Sequence, residues 1–260
     1  LDELIEYRRK GEPVPPRSAA ITIDDGYRDF YDIAFPVLKK FNVPATLYVV
    51  TGFVDGKSWI WTDKARYILG QTSVERFDLM VGSKKIELSL SHVESRLKAA
   101  GSINAELKKM PDGEKDSILR DIAYQMEVTV PEQPPDDFKA LGWSEAREMQ
   151  EADIEIGSHT ANHPILTNMD EVSLADELRV SRLMLEDKLQ KQTIHFCYPN
   201  GNVSQRERDA AEKAGYASAV TTELRLCEND DDLFLLPRID AESEMHRFVQ
   251  ATSGFDRIKR

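Results

Sequence analysis

Two stretches of this chain hold residues that could do chemistry. Asp24-Asp25-Gly26 sets adjacent carboxylates directly after the apolar run Ala19-Ala20-Ile21-Thr22-Ile23. His159-Thr160-Ala161-Asn162-His163 spaces two imidazoles four residues apart, just after Ile154-Glu155-Ile156. Two histidines and a carboxylate suit a divalent metal with open positions, and a second carboxylate is left over as a base. That is the inventory of a metal-dependent hydrolase. Each stretch alone has a plainer reading: capping or surface histidines, and an ordinary turn at Asp-Asp-Gly. Histidines four apart share one helical face, and Pro164 limits any helix here to a single turn. The functional reading depends on whether the fold brings the two stretches together.

The elements that must position them read as alternating strands and helices. Residues 18–23 are a buried strand. Residues 31–41 are an amphipathic helix with Ile33, Ala34, Val37, Leu38 and Phe41 on its apolar side, stopped by Pro44. Residues 45–50 are a second strand, and strand–helix–strand over so short a span implies a parallel sheet. The alternation resumes after Gly142. Residues 144–151 form a helix capped by Ser144, and 153–156 a strand. Residues 173–190 form a helix with Leu174, Leu178, Leu185 and Leu189 on one side. Strands at 193–198, 216–220 and 233–236 follow, with helices at 205–214 and 245–251. Such a pattern fits an α/β barrel or a doubly wound sheet. Ligands in parallel α/β folds gather at the carboxyl ends of the strands. Asp24, Asp25, His159, His163, the segment from Cys197 to Gly201, and Arg238 would then all face one rim.

Residues 58–141 break the pattern. They open on Trp59-Ile60-Trp61, carry charged helical stretches at 91–100 and 114–127, and end in Pro131-Glu132-Gln133-Pro134-Pro135. This is expected to be a mostly helical insertion, peripheral to the sheet, serving as a lid or packing segment without chemistry.

The 260 residues carry a net charge of -12, which repels phosphate backbones and argues against a nucleic-acid partner. No run of 18 apolar residues is present, so no membrane span is expected. Cys197 and Cys227 form neither a disulfide framework nor a metal cluster. No signal-peptide pattern is visible in a chain that opens on Leu1 rather than Met, and a reducing, cytoplasmic setting is the expectation.

Three segments carry a family resemblance. Thr22-Ile23-Asp24-Asp25-Gly26 resembles the first motif of the polysaccharide deacetylases, the NodB-homology or carbohydrate esterase family 4 enzymes. Ser158-His159-Thr160-Ala161-Asn162-His163-Pro164 is similar to their second motif, and Phe196-Cys197-Tyr198-Pro199-Asn200-Gly201 to their third, in the family's order. The resemblance implies a distorted (β/α) barrel of about seven parallel strands, residues 1–260 forming a single domain with the insertion at about 58–141. It implies Asp25, His159 and His163 as ligands of a divalent metal, zinc by preference, and Asp24 as the base that activates water. The backbone N–H of Asn200 would meet the oxyanion, and Tyr27, Tyr198, Pro199 and Gly201 would contact an acetylated saccharide.

The sequence departs from the family at two positions. The third motif commonly begins with Arg, where Cys197 stands here. The last motif commonly supplies a His as general acid, where Leu236-Pro237-Arg238-Ile239 stands here. Arg238 is expected to restore the missing charge beside Asp24 or the oxyanion, leaving the general acid unassigned. His246 is the nearest candidate, His195 reads as core or surface, and His92 belongs to the insertion. Trp59, Trp61 and Tyr27 suit sugar faces, with core packing the competing role, and Cys197 reads as a small buried hydrophobe. Other readings are an amidohydrolase of a small cyclic amide on the same scaffold and a non-catalytic saccharide-binding protein. A 2-His-1-carboxylate iron oxygenase is disfavoured by the extra Asp24.

Overall fold

A computed structural model describes residues 1–81 and 84–253. Its centre is a six-stranded, all-parallel half-barrel in the order β1 (Thr22–Ile23), β2 (Ala45–Val49), β5 (Ile154–Ser158), β6 (His195–Cys197), β7 (Ser218–Leu224), β8 (Leu236–Arg238). The distorted barrel expected from the sequence is therefore present, with one strand fewer. The first strand shrinks from 18–23 to two residues.

Alternation along the strands sorts two apolar layers, because successive side chains point to opposite faces. Leu47, Val49, Ile154 and Ile156 face one way and meet Leu185 and Leu189 of α8 (Glu171–Leu189) and Ala146 and Met149 of α7 (Trp143–Glu151). Tyr48, Cys197, Val220 and Leu236 face the concave side, where Ile5 of α1 (Asp2–Lys10) packs on them. This N-terminal helix was absent from the sequence reading. Buried His195 fixes it, lying 2.8 Å from Asp2, 3.0 Å from Glu155 of β5 and 2.7 Å from the Ser218 hydroxyl.

The first helix differs instructively from expectation. Its opening turn, Phe30–Ala34, is π-helical, with Phe35 N–H donating to the Phe30 carbonyl, and α2 proper covers only Phe35–Phe41. One extra residue in a turn rotates everything after it by about 100°. The buried side consequently carries Phe30 and Phe35, while Ile33, Val37 and Phe41 are 70%, 54% and 65% exposed. Three of the five residues assigned to the apolar side point outward. Two helix starts also move: α7 begins after Gly142 rather than at Ser144, and α8 begins at Glu171 rather than 173, capped by Asp170, whose side chain accepts from Val172 and Ser173 N–H. Helices α9 (Gln205–Lys213) and α10 (Met245–Thr252) match their expected positions closely.

Between β2 and α7 lie α3 (Thr51–Val54), α4 (Trp61–Gln71), an antiparallel hairpin of β3 (Arg76–Val81) and β4 (Lys84–Ser89), α5 (Val93–Leu107) and α6 (Asp112–Gln125). The hairpin was not foreseen in a segment read as helical. Leu79 and Leu88 of the hairpin join Ile68, Leu69, Ile103, Leu107, Leu119 and Ile122 in a core distinct from those of the sheet. Trp59 stacks on Phe138 at 5.9 Å and Trp61 is 6% exposed, so both indoles pack rather than line a cleft. No helix among the described residues is long and apolar enough to cross a membrane.

Candidate functional site

The two motifs leave the carboxyl ends of β1 and β5, the parallel strands on either side of β2, and are bent sharply there. Asp25 (φ 76°) and Gly26 (φ 89°) sit in the left-handed region directly after β1. A Cβ at Gly26 would lie 3.0 Å from Val49 Cγ1, so the turn takes glycine for both conformation and space. The second motif is not the helical turn expected from its spacing. Thr160 (φ 69°) and His163 (φ 57°) adopt left-handed conformations, and the segment is a loop. Loop geometry achieves what a helical face would have. His163 N–H donates to Thr160 Oγ1 at 3.0 Å. Glu177, reaching from α8, accepts from Ala161 and Asn162 N–H at 2.8 and 3.0 Å and from the Asn162 amide at 2.7 Å. Sequence reasoning missed Glu177, because nothing in the pattern of α8 distinguishes it from a solvated helix charge.

The result is a convergent donor set. Asp25 Oδ1 lies 3.5 Å from both His159 Nε2 and His163 Nε2. Four-coordinate zinc with bonds of about 2.0–2.1 Å needs ligand atoms about 3.4 Å apart, so the spacing fits. The polar accounting fits too. His159 is oriented by a 2.7 Å contact from Nδ1 to the Cys197 carbonyl, leaving Nε2 for the centre. His163 Nδ1 is buried without a hydrogen-bond partner, and its Nε2 meets only the distant carboxylate. Burial holds the His163 imidazole well below its ordinary value, hence neutral and able to ligate. A cation between the three atoms would give His163 Nε2 a partner at bonding distance, which the carboxylate at 3.5 Å does not.

Asp24, adjacent in sequence, faces elsewhere. Arg238 at the end of β8 grips it as a fork, with Nη1–Oδ1 and Nη2–Oδ2 both 2.7 Å. The guanidinium is itself held by Nε to the Thr221 carbonyl at 2.8 Å and contacts Cys197 Sγ at 3.4 Å. Burial pushes the Asp24 carboxyl up, but the Arg238 fork and the neighbouring His159 outweigh it, and the net shift is downward. Asp25 goes the other way, raised by burial and by the charge of Asp24 despite His159. Cys197 is fully buried and its thiol is pushed well above its ordinary value, chiefly by burial. Asp24, His159 and Cys197 also lie close enough to share an ion. The arginine charge already occupies that side, so the Asp25 set is the better centre.

The third motif follows β6 as a short 3-10 turn, Pro199–Gly201. Asn200 (φ 58°) is exposed, and its side chain bonds Lys108 of the insertion and Asn202. Gly201 (φ 72°) admits no side chain, since a Cβ would fall 1.9 Å from Thr222 Oγ1. Tyr198, expected to contact substrate, is fully buried and packs edge-on to Phe196 at 5.0 Å, and Pro199 is buried beside it. Tyr198 lies on the same side as Phe196 and joins the core with Leu174 and Leu178 of α8 instead of the rim. Tyr27 is half-buried, and its hydroxyl donates to Asp63. The remaining histidines are elsewhere: His92 caps α5, His195 holds α1, and His246 is exposed on α10.

Asp25, His159 and His163 thus converge at one rim, beside the arginine-held carboxylate of Asp24. A family model described as "Polysaccharide deacetylase" matches residues 11–219, and the chain belongs to that family. It is 23% identical over 219 residues to the putative polysaccharide deacetylase YxkH of Bacillus subtilis (strain 168), covering 84% of this chain and 50% of that protein. It is 46% identical over 54 residues to the poly-beta-1,6-N-acetyl-D-glucosamine N-deacetylase of Staphylococcus epidermidis, covering 21% of this chain and 18% of that one. The chain thus spans half or less of these curated relatives. Among solved structures, the Streptococcus pyogenes deacetylase PplD superposes with a TM-score of 0.62 at 19% identity, over 96% of this chain and 77% of that one. The BpsB deacetylase domain of Bordetella bronchiseptica gives 0.54 at 19% identity, over 92% and 76%. At these identities the superpositions establish a shared fold.

Proposed function

We propose that this chain hydrolyses acetyl groups from an N- or O-acetylated saccharide, with Asp25, His159 and His163 holding a divalent metal and Asp24 acting as base. The observation that carries this reading is the convergence of His159 Nε2 and His163 Nε2, each 3.5 Å from Asp25 Oδ1, beside a carboxylate kept ionised by an arginine fork. Zinc suits the one-oxygen, two-nitrogen donor set. A bound divalent ion supplies Lewis acidity for the acetyl carbonyl and lowers the pKa of water at the site. Asp24 Oδ takes a proton from the water that attacks the carbonyl carbon. Arg238 keeps Asp24 charged and aimed, and the Asn200 backbone N–H at the rim donates to the developing oxyanion. The acetyl C–N or C–O bond breaks, releasing acetate and a free amine or hydroxyl. Polymers of N-acetylglucosamine are the first substrates to try, because a relative bearing 46% identity over 54 residues acts on one by name.

The test pairs metal analysis with acetate release from acetylated oligosaccharides. The purified chain should hold one divalent ion. Asp24→Asn should keep that ion while losing at least about a hundred-fold in acetate release. Protein without stoichiometric metal, or an Asp24→Asn variant indistinguishable from the parent, would sink the reading.

A further inference from the structure

Helix α4 begins against the segments that carry His163 and Tyr27. Trp61 Nε1 donates to the His163 carbonyl at 3.0 Å, and the Trp61 ring is covered by the Lys115 ammonium at 4.5 Å. Two residues on, Asp63 accepts the Tyr27 hydroxyl at 2.5 Å. Asp63 is 2% exposed, and the Arg66 guanidinium is 3.7 Å away, beyond good hydrogen-bond reach. Burial pushes this carboxyl up to about 6, against the pull of the Tyr27 bond. Packing alone does not account for a carboxyl here, since an apolar side chain of the same size would fill the space without the desolvation cost. What the carboxyl does is fix a phenol.

That phenol is constrained from several sides. The Tyr27 ring stands edge-on to Phe53 at 5.3 Å, and its backbone is bridged to Ala140 at the far end of the insertion. Tyr27 is half-buried and lies two residues beyond Asp25, near enough to feel that carboxylate's charge. A phenol has one proton to give, and Asp63 takes it. With its proton engaged, the Oη has only acceptor capacity left to offer.

We propose that Asp63 is a positioning residue that, by accepting the Tyr27 proton, presents the phenol oxygen as an acceptor for a free hydroxyl of the sugar bearing the acetyl group. The proposal deepens the deacetylase reading and rests on it for the identity of the sugar. It assigns the insertion a part in substrate selection. A site that accepts from a hydroxyl discriminates against a sugar whose hydroxyl is blocked.

The experiment uses the zinc-loaded full chain, the β-1,6-linked N-acetylglucosamine tetramer as probe, and both binding and acetate release as readouts. Tyr27→Phe and Asp63→Ala should each raise the probe's Kd and KM roughly three- to ten-fold, the scale of one hydrogen bond, with kcat within about two-fold of the parent. The double variant should be no worse than either single one, because both remove the same interaction. Asp63→Asn keeps an acceptor for the phenol and should stay within about two-fold of the parent. A parental Kd in Asp63→Ala, additive effects in the double variant, or a fall in kcat or zinc content with Kd unchanged would overturn the proposal. Should Asp63→Ala not fold, Tyr27→Phe with a parental Kd would do the same. A parent that binds the tetramer through Tyr27 and Asp63 yet releases no acetate would support the positioning role and overturn the deacetylase reading alone. A parent that neither binds nor hydrolyses the probe counts against both.

Discussion

Asp24 and Asp25 are neighbours in sequence with opposite surroundings. Arg238 draws the first downward and its buried setting draws the second upward. A divalent ion at the triad would stabilise the Asp25 carboxylate and reverse its direction. The fork on Asp24 is the contact to break. Arg238→Ala should lower kcat/KM for acetate release by about ten- to hundred-fold with zinc content unchanged, and Arg238→Lys should recover little, since one ammonium cannot reproduce two parallel N–H···O bonds. An Arg238→Lys variant with parental kinetics would remove the fork from the argument. The ligand candidates were legible because their types and spacing are informative without coordinates. The Arg238–Asp24 pairing was anticipated only as a charge for Asp24 or the oxyanion, since no local pattern links residues 214 apart. Tyr198 misled because motif position says nothing about which face of β6 a side chain takes. Asp63 left no signal, as one carboxylate in a charged helix looks like a solvated one.

At the scale of elements, the second motif shows how two histidines can converge through a local structure other than the one their spacing suggests. Spacing of four suggested a helix, whereas the chain forms a loop held by Glu177 from α8. Glu177→Ala removes three hydrogen bonds from the segment between the two histidines. Zinc affinity, measured by competition with a chelator, should fall by about ten- to hundred-fold. A parental affinity would show that the loop holds its shape without α8. The π-helical turn at Phe30–Ala34 is a second case. Apolar periodicity assumes a constant rotation per residue, and one inserted residue inverts its conclusion about Ile33, Val37 and Phe41. The β3–β4 hairpin was hidden for another reason: its outward positions are charged, and it packs on helices rather than on the main sheet. The long, regular α8 was readable throughout, since Leu174, Leu178, Leu185 and Leu189 are all buried.

For the whole molecule, the half-barrel depends on α1 to cover its concave side, and His195 couples that docking to pH. Burial opposes a charged imidazole, but Asp2 and Glu155 outweigh it and raise His195 above 6.5. Stability from a raised histidine is complete below the unfolded value and is lost as pH rises through the folded one. Asp2 is lowered to about 2 by the same contact, against burial, so its share is lost as pH falls from 3.8 towards that value. The clamp is strongest between these limits. The difference in urea midpoint between the parent and His195→Gln should be larger at pH 5.5 than at pH 8.5, and an equal difference at both would show that His195 is neutral in the folded state. The fork on Asp24 has a consequence in time as well. Asp24, the proposed base, lies near the beginning of the half-barrel and its arginine at the last strand, 214 residues later. At about 5–20 residues per second, a ribosome needs roughly 10–40 s to travel from one to the other. Throughout that interval the nascent chain already carries Asp24, Asp25 and, later, both histidines, but not the guanidinium that completes the constellation. Competence at this rim arrives with the final strand, so a chain cut short before Arg238 would present the ligand atoms without the charge that arms the base.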